Sequence, residues 1–259
     1  MPKTILITGS TDGIGLQAAQ RLIAAGQRVI LHGRNRSRLD AALTQTGAAA
    51  GYVADLSSVA GALDLAKSVA ADHETLDVLI NNAGVFKTAQ EITNDGYDLR
   101  FMVNTIAPYA LTRALLSIIP ASGRVVNLSS AAQAPFDLTA LRGATRLAAQ
   151  AAYAQSKLAL TAWNSAMADQ YPEGPSFVSV NPGSLLATKM VKEGYGIAGH
   201  DIGIGAKVLE AAALSDTFAN RSGAYFDNDA GRFADPHGFA QKPVNRAALM
   251  AELDRIIQA

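Results

Sequence analysis

Tyr153 and Lys157 put a phenol and an ammonium four residues apart in the helix-favouring stretch Tyr153-Ala154-Gln155-Ser156-Lys157. On a helix, side chains at that spacing share a face. A phenol titrates near ~10, too high for proton transfer at neutral pH, and an ammonium about 4 Å away favours the phenolate by roughly 4 kcal/mol at an effective dielectric of about 20. Such a pair turns a tyrosine into a working proton donor and acceptor. The same spacing is ordinary on helical surfaces, so the pair gains meaning only if the rest of the chain builds a site around it.

The elements that must do so follow from the hydrophobic pattern. Short β-branched runs alternate with Ala- and Leu-rich amphipathic stretches, which places strands at 4–8, 28–32, 51–54, 78–81, 124–128, 176–180 and 224–226. Helices fall at 13–25, 36–46, 57–72, 95–118, 151–170, 203–214 and 244–258. Strict alternation implies parallel strands joined by right-handed crossovers. Sheets of this kind bind ligands beyond the carboxyl ends of their strands, where the strand order reverses.

Motifs stand at those ends. After the first strand, Thr8-Gly9-Ser10-Thr11-Asp12-Gly13-Ile14-Gly15 opens a helix. Its glycines allow a tight turn and close approach of a diphosphate to the helix N-terminus, so the loop is expected to bind a dinucleotide. The second strand ends in His32-Gly33-Arg34-Asn35, with no acid before Asp40 to hold both ribose hydroxyls. Gly33 leaves space and Arg34 offers a planar fork for a phosphate, which predicts NADP(H) over NAD(H). The alternative is a plain surface arginine. In Ala54-Asp55-Leu56, Asp55 either accepts from an adenine amine or caps the helix starting near Ser57.

Asn81-Asn82-Ala83-Gly84 closes the fourth strand, with small residues against which a cofactor can lie and amides that can tie neighbouring loops. Asn104 lies in an apolar helix four residues before Pro108, whose missing N–H predicts a kink and a freed carbonyl able to hold a water. Ser129 and Ser130 end the fifth strand, where a hydroxyl can donate to a substrate oxygen or merely turn the chain. Asn181-Pro182-Gly183, running on to Thr188, forms a turn that can cover a nicotinamide, and the glycines from 194 to 205 suggest a mobile flap.

Bulk properties narrow the class. With 259 residues, 49% of them hydrophobic, and no linker-like shift in composition, one domain over 1–259 is expected. Lys plus Arg and Asp plus Glu are 22 each, without a basic cluster, so nothing points to nucleic acid or an anionic membrane, and a small molecule is the expected partner. There is no cysteine, hence no disulfide, thiolate nucleophile or thiolate metal site. Met1-Pro2-Lys3 leads straight into a strand and no apolar run reaches the ~18 residues of a membrane span, which reads as a cytoplasmic protein without a membrane anchor. His32, His73, His200 and His237 form no ligand pair at helical spacing, so no metal is expected.

Taken together, the motifs resemble the short-chain dehydrogenase/reductase family in its single-domain branch, over nearly the whole chain. The resemblance implies a Rossmann-type α/β fold, a doubly wound, seven-stranded parallel sheet with helices on both faces in three layers. It implies Tyr153 as general acid, Lys157 lowering its pKa and holding the nicotinamide ribose, Ser130 rather than Ser129 orienting the carbonyl, and Asn104 anchoring a water toward Lys157. Gly9 to Gly15, Arg34, Asn35, Asp55, Leu56, Asn82, Ala83, Gly84, Pro182, Gly183 and Thr188 would then hold NADP(H).

Two departures from the family's pattern stand out: Ser130 and Tyr153 are 23 positions apart, more than is usual, and Thr188 comes one residue late after Pro182-Gly183. The longer segment and the tract from Gly223 onward look like the retinol-dehydrogenase-like subgroup. The expected reaction is hydride transfer between NADP(H) and a carbonyl or secondary alcohol. The substrate loops are expected at about 131–152 and 184–205. Phe136, Leu138, Leu141, Leu185, Leu186, Met190, Val191 and Ile197 suggest an apolar, medium-sized substrate. A cofactor-binding sensor or scaffold that no longer turns over is the rival reading, distinguished by whether Tyr153→Phe abolishes turnover. An epimerase or dehydratase of the related larger branch would need a separate substrate domain. Helix 151–170 carries only Lys157 and Asp169 as charges, so it is buried in the core or against a second subunit.

Overall fold

The computed structural model of the chain describes residues 1–258. Eight strands form one sheet: β1 Thr4–Ile7, β2 Arg28–Gly33, β3 Ala50–Val53, β4 Val78–Asn81, β5 Arg124–Leu128, β6 Ser176–Asn181, β7 Tyr225–Asp227 and β8 Arg232–Ala234. Their order is β3-β2-β1-β4-β5-β6-β7-β8. The first seven are parallel, and β8, which the hydrophobic pattern had not revealed, adds an antiparallel edge by pairing Phe226 with Phe233. The order reverses between β1 and β4, and the carboxyl ends of those strands define the crevice.

The main helices are α1 Gly13–Ala24, α2 Arg36–Thr46, α3 Val59–Asp72, α4 Leu99–Phe101, α5 Ala107–Leu115, α6 Leu138–Leu141, α7 Ala149–Gln170, α8 Lys189–Tyr195, α9 Gly203–Leu214, α10 Asp216–Ala219, α11 Gly238–Gln241 and α12 Pro243–Gln258. The period-2 alternation of each strand divides the core in two. Ile5 and Ile7 of β1 face the layer of α1 and α9, and Leu6 faces that of α3, α5, α7 and α12. The result is three layers, α/β/α.

Three expectations change in detail. The helix begun at Ser57 in the sequence reading starts at Val59, because the hydroxyl of Ser58 accepts the Gly61 N–H and sets the cap. The kink foreseen at Asn104 becomes a π-helical stretch, Met102–Ile106, which absorbs the N–H that Pro108 lacks. Finally, Leu99–Ile118 does reach the length and apolarity of a membrane span, correcting the view that no run does, and most of it is buried within the chain. Its apolarity is accounted for by packing against α3, α7 and α12 in the core that those helices share with one face of the sheet.

Helix α7 is covered by its own chain. Helices α11 and α12 pack on it, and Arg246 pairs with Asp169 at 3.0 Å. A ladder of buried amides fixes it against the sheet: Asn81 donates to Asn127 at 2.9 Å, Asn127 to Asn164 at 2.8 Å, and Asn164 to the Phe177 carbonyl at 3.3 Å. With Asn164 locked on β5 and β6, the residues two and three turns earlier are held toward the strand ends.

Candidate active site

A cavity of about 630 Å³ opens over the carboxyl ends of the parallel strands. That volume suits a ligand of substantial size. Its floor is the loop after β1, where Gly9 has φ +63 and a Cβ there would lie 2.9 Å from the Ala83 Cα. Gly13 has φ +60 with nothing nearer to such a Cβ than Ile202 at 3.9 Å, so its backbone stays open to a ligand. Asp12 caps α1 by accepting the Gly13 N–H at 2.7 Å. Asn82 ties the loop down by donating to the carbonyls of Thr8 at 2.8 Å and Gly9 at 3.0 Å, while the Thr8 hydroxyl accepts the N–H groups of Asn82 and Ala83, each at 3.0 Å. These are the ties between loops foreseen for the amides after β4.

His32 is the residue of this floor that sequence reasoning passed over. Its Nδ1 accepts the Gly9 N–H at 3.1 Å, and its Nε2 stands 3.1 Å from the Ala54 carbonyl. An N–H can only donate and a carbonyl can only accept, so the ring is neutral with its proton on Nε2. Burial pulls its pKa down to about 4, against the smaller upward pulls of the Ala54 bond and Asp55. One imidazole thus joins the ends of β1, β2 and β3. The signal that could have found it is a histidine as the last side chain before Gly33 in an otherwise apolar strand.

Arg34, Asp55, Leu56, Ala83, Gly84, Pro182, Gly183 and Thr188 all line the cavity, as do Gly9, Thr11, Asp12, Gly13, Ile14 and Asn82. Arg34 is exposed at the rim, and Asp40 pairs with Arg36 on α2 away from it. The Asp55 carboxylate accepts the Ser57 N–H at 3.0 Å and is not the cap of α3. Thr188 also accepts the Val191 N–H to cap α8.

Four candidates are not on the cavity wall. Ser10 is fully buried, bridging the Ile7 carbonyl and the His32 N–H. Gly15 lies beneath the loop, where a Cβ would meet Asn82 Nδ2 at 2.5 Å. Asn35 caps α2 by accepting the Arg38 N–H at 3.0 Å. Asn104, 1% exposed, clamps Val85 by accepting its N–H at 2.8 Å and donating to its carbonyl at 3.0 Å, and it donates to the Ser156 hydroxyl at 3.0 Å.

Across the cavity stand Tyr153, Lys157 and Ser130. Tyr153 is half-buried and lies one helical turn from Lys157, whose Nζ is 5.8 Å from the phenol ring centre and donates to the Leu128 carbonyl at 2.6 Å. Burial lowers the Lys157 ammonium to about 7. The two serines have parted roles. Ser129 is buried with its hydroxyl on Thr161 at 2.7 Å and the Lys157 carbonyl at 3.3 Å. Ser130 accepts the Ala132 N–H at 3.1 Å, which leaves its own proton for an acceptor in the cavity.

The apolar wall differs from the one expected. Leu185, Leu186, Met190 and Val191 line the cavity, the last two on α8. Ile197 is exposed, 43%, and off the wall. Phe136, Leu138 and Leu141 belong to the core: Phe136 meets Phe239 edge-on at 5.0 Å, because α11 and α12 offer the nearest apolar surface to the longer segment. Between Ser130 and Tyr153 only Ala132 reaches the wall. Phe86 does reach it, with its ring 5.1 Å from that of Tyr153.

Comparison with known proteins agrees with this layout. The family model for short chain dehydrogenase matches residues 3–195. Retinol dehydrogenase 13 of Homo sapiens is 29% identical over 98% of this chain and 84% of its own. A crystal structure of a protein from Mycobacterium paratuberculosis aligns with a TM-score of 0.81 at 25% identity, covering 100% of this chain and 96% of that one. A short chain dehydrogenase from Burkholderia cenocepacia J2315, solved in complex with NADP, aligns with a TM-score of 0.69 at 25% identity, covering 87% of this chain and 95% of that one.

Proposed function

This chain belongs to the short-chain dehydrogenase family, and from that premise we propose that it moves a hydride between NADP(H) and the carbonyl or alcohol carbon of an apolar, medium-sized substrate. The observation that carries the reading is that Tyr153 and Lys157 share one cavity with the glycine loop, with Ser130 beside them. NADP(H), when bound, supplies the hydride. The residues of the chain do the rest.

The N-terminus of α1 receives the diphosphate, with no Cβ on Gly13 to keep it away, while the Gly9 N–H, given to His32, and the Gly13 N–H, given to Asp12, hold the loop in shape. Arg34 meets the 2′-phosphate, supported by the absence of a carboxylate at the end of β2 and by the NADP held by the Burkholderia protein. In reduction Tyr153 gives its phenol proton to the carbonyl oxygen as the carbon gains hydride, and in oxidation it takes the proton back. Lys157 acts on Tyr153 as a buried cation one turn away, and Ser130 donates to the same oxygen. Asn104 is a positioning residue that holds Val85 and Ser156 in place.

Titration with NADPH and NADH, together with turnover of a panel of aldehydes and ketones, tests this reading. NADPH is expected to bind the more tightly, and Tyr153→Phe to bind it normally while turnover falls about 10²–10⁴-fold. Equal affinity for NADH would remove the assignment to Arg34, and undiminished turnover would remove Tyr153 from the chemistry.

A further inference from the structure

Phe86 is held at the reacting end of the cavity from three directions. Behind it, both polar groups of the Val85 backbone are taken by Asn104. Its own carbonyl accepts from Arg100 Nη1 at 3.4 Å, and Arg100, 1% exposed, is itself fixed by Asp98 at 2.7 and 2.9 Å. In front, the ring lies against Tyr153, tilted by 57°. The third contact is with α8. A Cβ built on Gly194 would stand 2.8 Å from both Cδ1 and Cε1 of Phe86, closer than side-chain atoms approach one another. The covering helix therefore sits as near the ring as only a glycine allows. A 5% exposed aromatic, unable to withdraw, fills one flank of the reactive phenol.

Building on the oxidoreductase reading, we propose that Phe86 is the specificity-determining residue of this site. With Gly194 of α8 seated on it, the ring leaves space beside Tyr153 for no more than a hydrogen or a methyl group on one side of the reacting carbon. The other substituent runs under Leu186, Met190 and Val191, all of which line the cavity. The substrate class is then aldehydes and methyl ketones, or the matching alcohols, that carry one extended apolar chain. Ketones bulky on both sides are turned away by the ring.

The test measures kcat and KM with NADPH for decanal and for benzophenone in the wild type, Phe86→Ala, Phe86→Leu and Gly194→Ala. The wild type is expected to favour decanal. Phe86→Ala should shift the kcat/KM ratio toward benzophenone by about tenfold or more, and Phe86→Leu by less in the same direction. Gly194→Ala, which cannot seat on the ring, should raise the KM for decanal more than it alters kcat. NADPH titration of each variant confirms the fold, and Phe86→Leu decides the matter if Phe86→Ala fails to bind. An unshifted ratio in the folded Phe86 variants overturns this inference alone. A wild type that binds NADPH but reduces no carbonyl overturns the oxidoreductase reading and this inference with it.

Discussion

Beneath β1, β2 and β4, the polar side chains around the cavity end on main-chain atoms. Thr8 holds two N–H groups, Asn82 holds two carbonyls, and Ser10 and His32 bridge neighbouring strand ends. Above that floor the wall is Phe86, from the loop after β4, and the residues of α8 after β6, meeting by apolar contact, with polar anchorage concentrated on Asp229 at the β7–β8 turn. Directional bonds to backbone fix a shape, whereas dispersion contacts fix a volume and tolerate exchange of one apolar group for another. The first region suits a ligand that never changes. The second can be retuned for a new substrate without disturbing the first.

Lys157 offers the largest test of that contrast, since it is a buried cation whose Nζ, like the polar groups of the first region, ends on a main-chain atom, the Leu128 carbonyl. Its folded pKa, about 7, lies below the ordinary 10.5, so between those values the unfolded chain holds a proton that the folded one has lost. Stability from this group therefore rises with pH across that window, and at pH 7 the buried charge is a burden of a few kcal/mol. Lys157→Met is expected to cut turnover about 10²-fold or more while raising the unfolding midpoint at pH 7, a gain that shrinks toward pH 10.5. Turnover and midpoint falling together would mean that the ammonium is stabilised by its surroundings and that the rigid region harbours no such burden.

His32 gives an intermediate effect. Its folded pKa of about 4 lies below the free value of 6.5, so the imidazole stays neutral in the fold while the unfolded chain takes up a proton. Stability is intact above pH 6.5 and is lost as pH falls toward 4, by about 3 kcal/mol at 1.36 kcal/mol per unit. Denaturant unfolding at pH 7, 5.5 and 4 should show that loss in the wild type and its absence in His32→Asn, beyond the acid response the two share. Parallel curves would show that the Gly9 loop does not depend on the ring.

The two regions also differ in how far they could be read from the sequence. Thr8 to Gly15, Asn81 to Gly84 and the Tyr153 and Lys157 pair were legible because backbone geometry demands particular residues at fixed spacing. Even there Ser10 misled, since a hydroxyl after the first glycine serves equally to bridge Ile7 and His32 beneath the loop. The covering helix was hidden by its glycines, although its caps were in view: Thr188 before it and Gly196 after it, with φ +70. Phe136 shows the deeper limit, because an apolar side chain in a long segment packs on whatever surface is nearest, and Phe239 lies a hundred residues away. Strand β8 escaped for its shortness, three residues whose Phe233 completes a cluster with Phe218 and Phe226.

Asp229 supplies the smallest test, on the adjustable side. It accepts the Ser184 N–H at 2.8 Å, the Ser184 hydroxyl at 2.5 Å and the Asn181 amide at 2.9 Å, and so fastens the turn Pro182-Gly183-Ser184 to the β7–β8 turn. Burial pushes its carboxyl upward, but the bonds from Ser184 and Asn181 outweigh this and hold it below the ordinary value. A depressed carboxylate pKa means that the fastening is complete above the unfolded value and is released only as pH falls below it. Asp229→Asn keeps the shape and removes the charge, which weakens bonds that are about twice as strong when ionised. Because the side chain is exposed, water takes up most of the loss, and the unfolding midpoint should scarcely move. The KM for an apolar aldehyde is expected to rise about threefold, roughly 0.6 kcal/mol, with NADPH affinity little altered. A drop in NADPH affinity as large as that in substrate affinity would mean that the turn after β6 belongs to the rigid region, and the line between the two would have to be redrawn at α8.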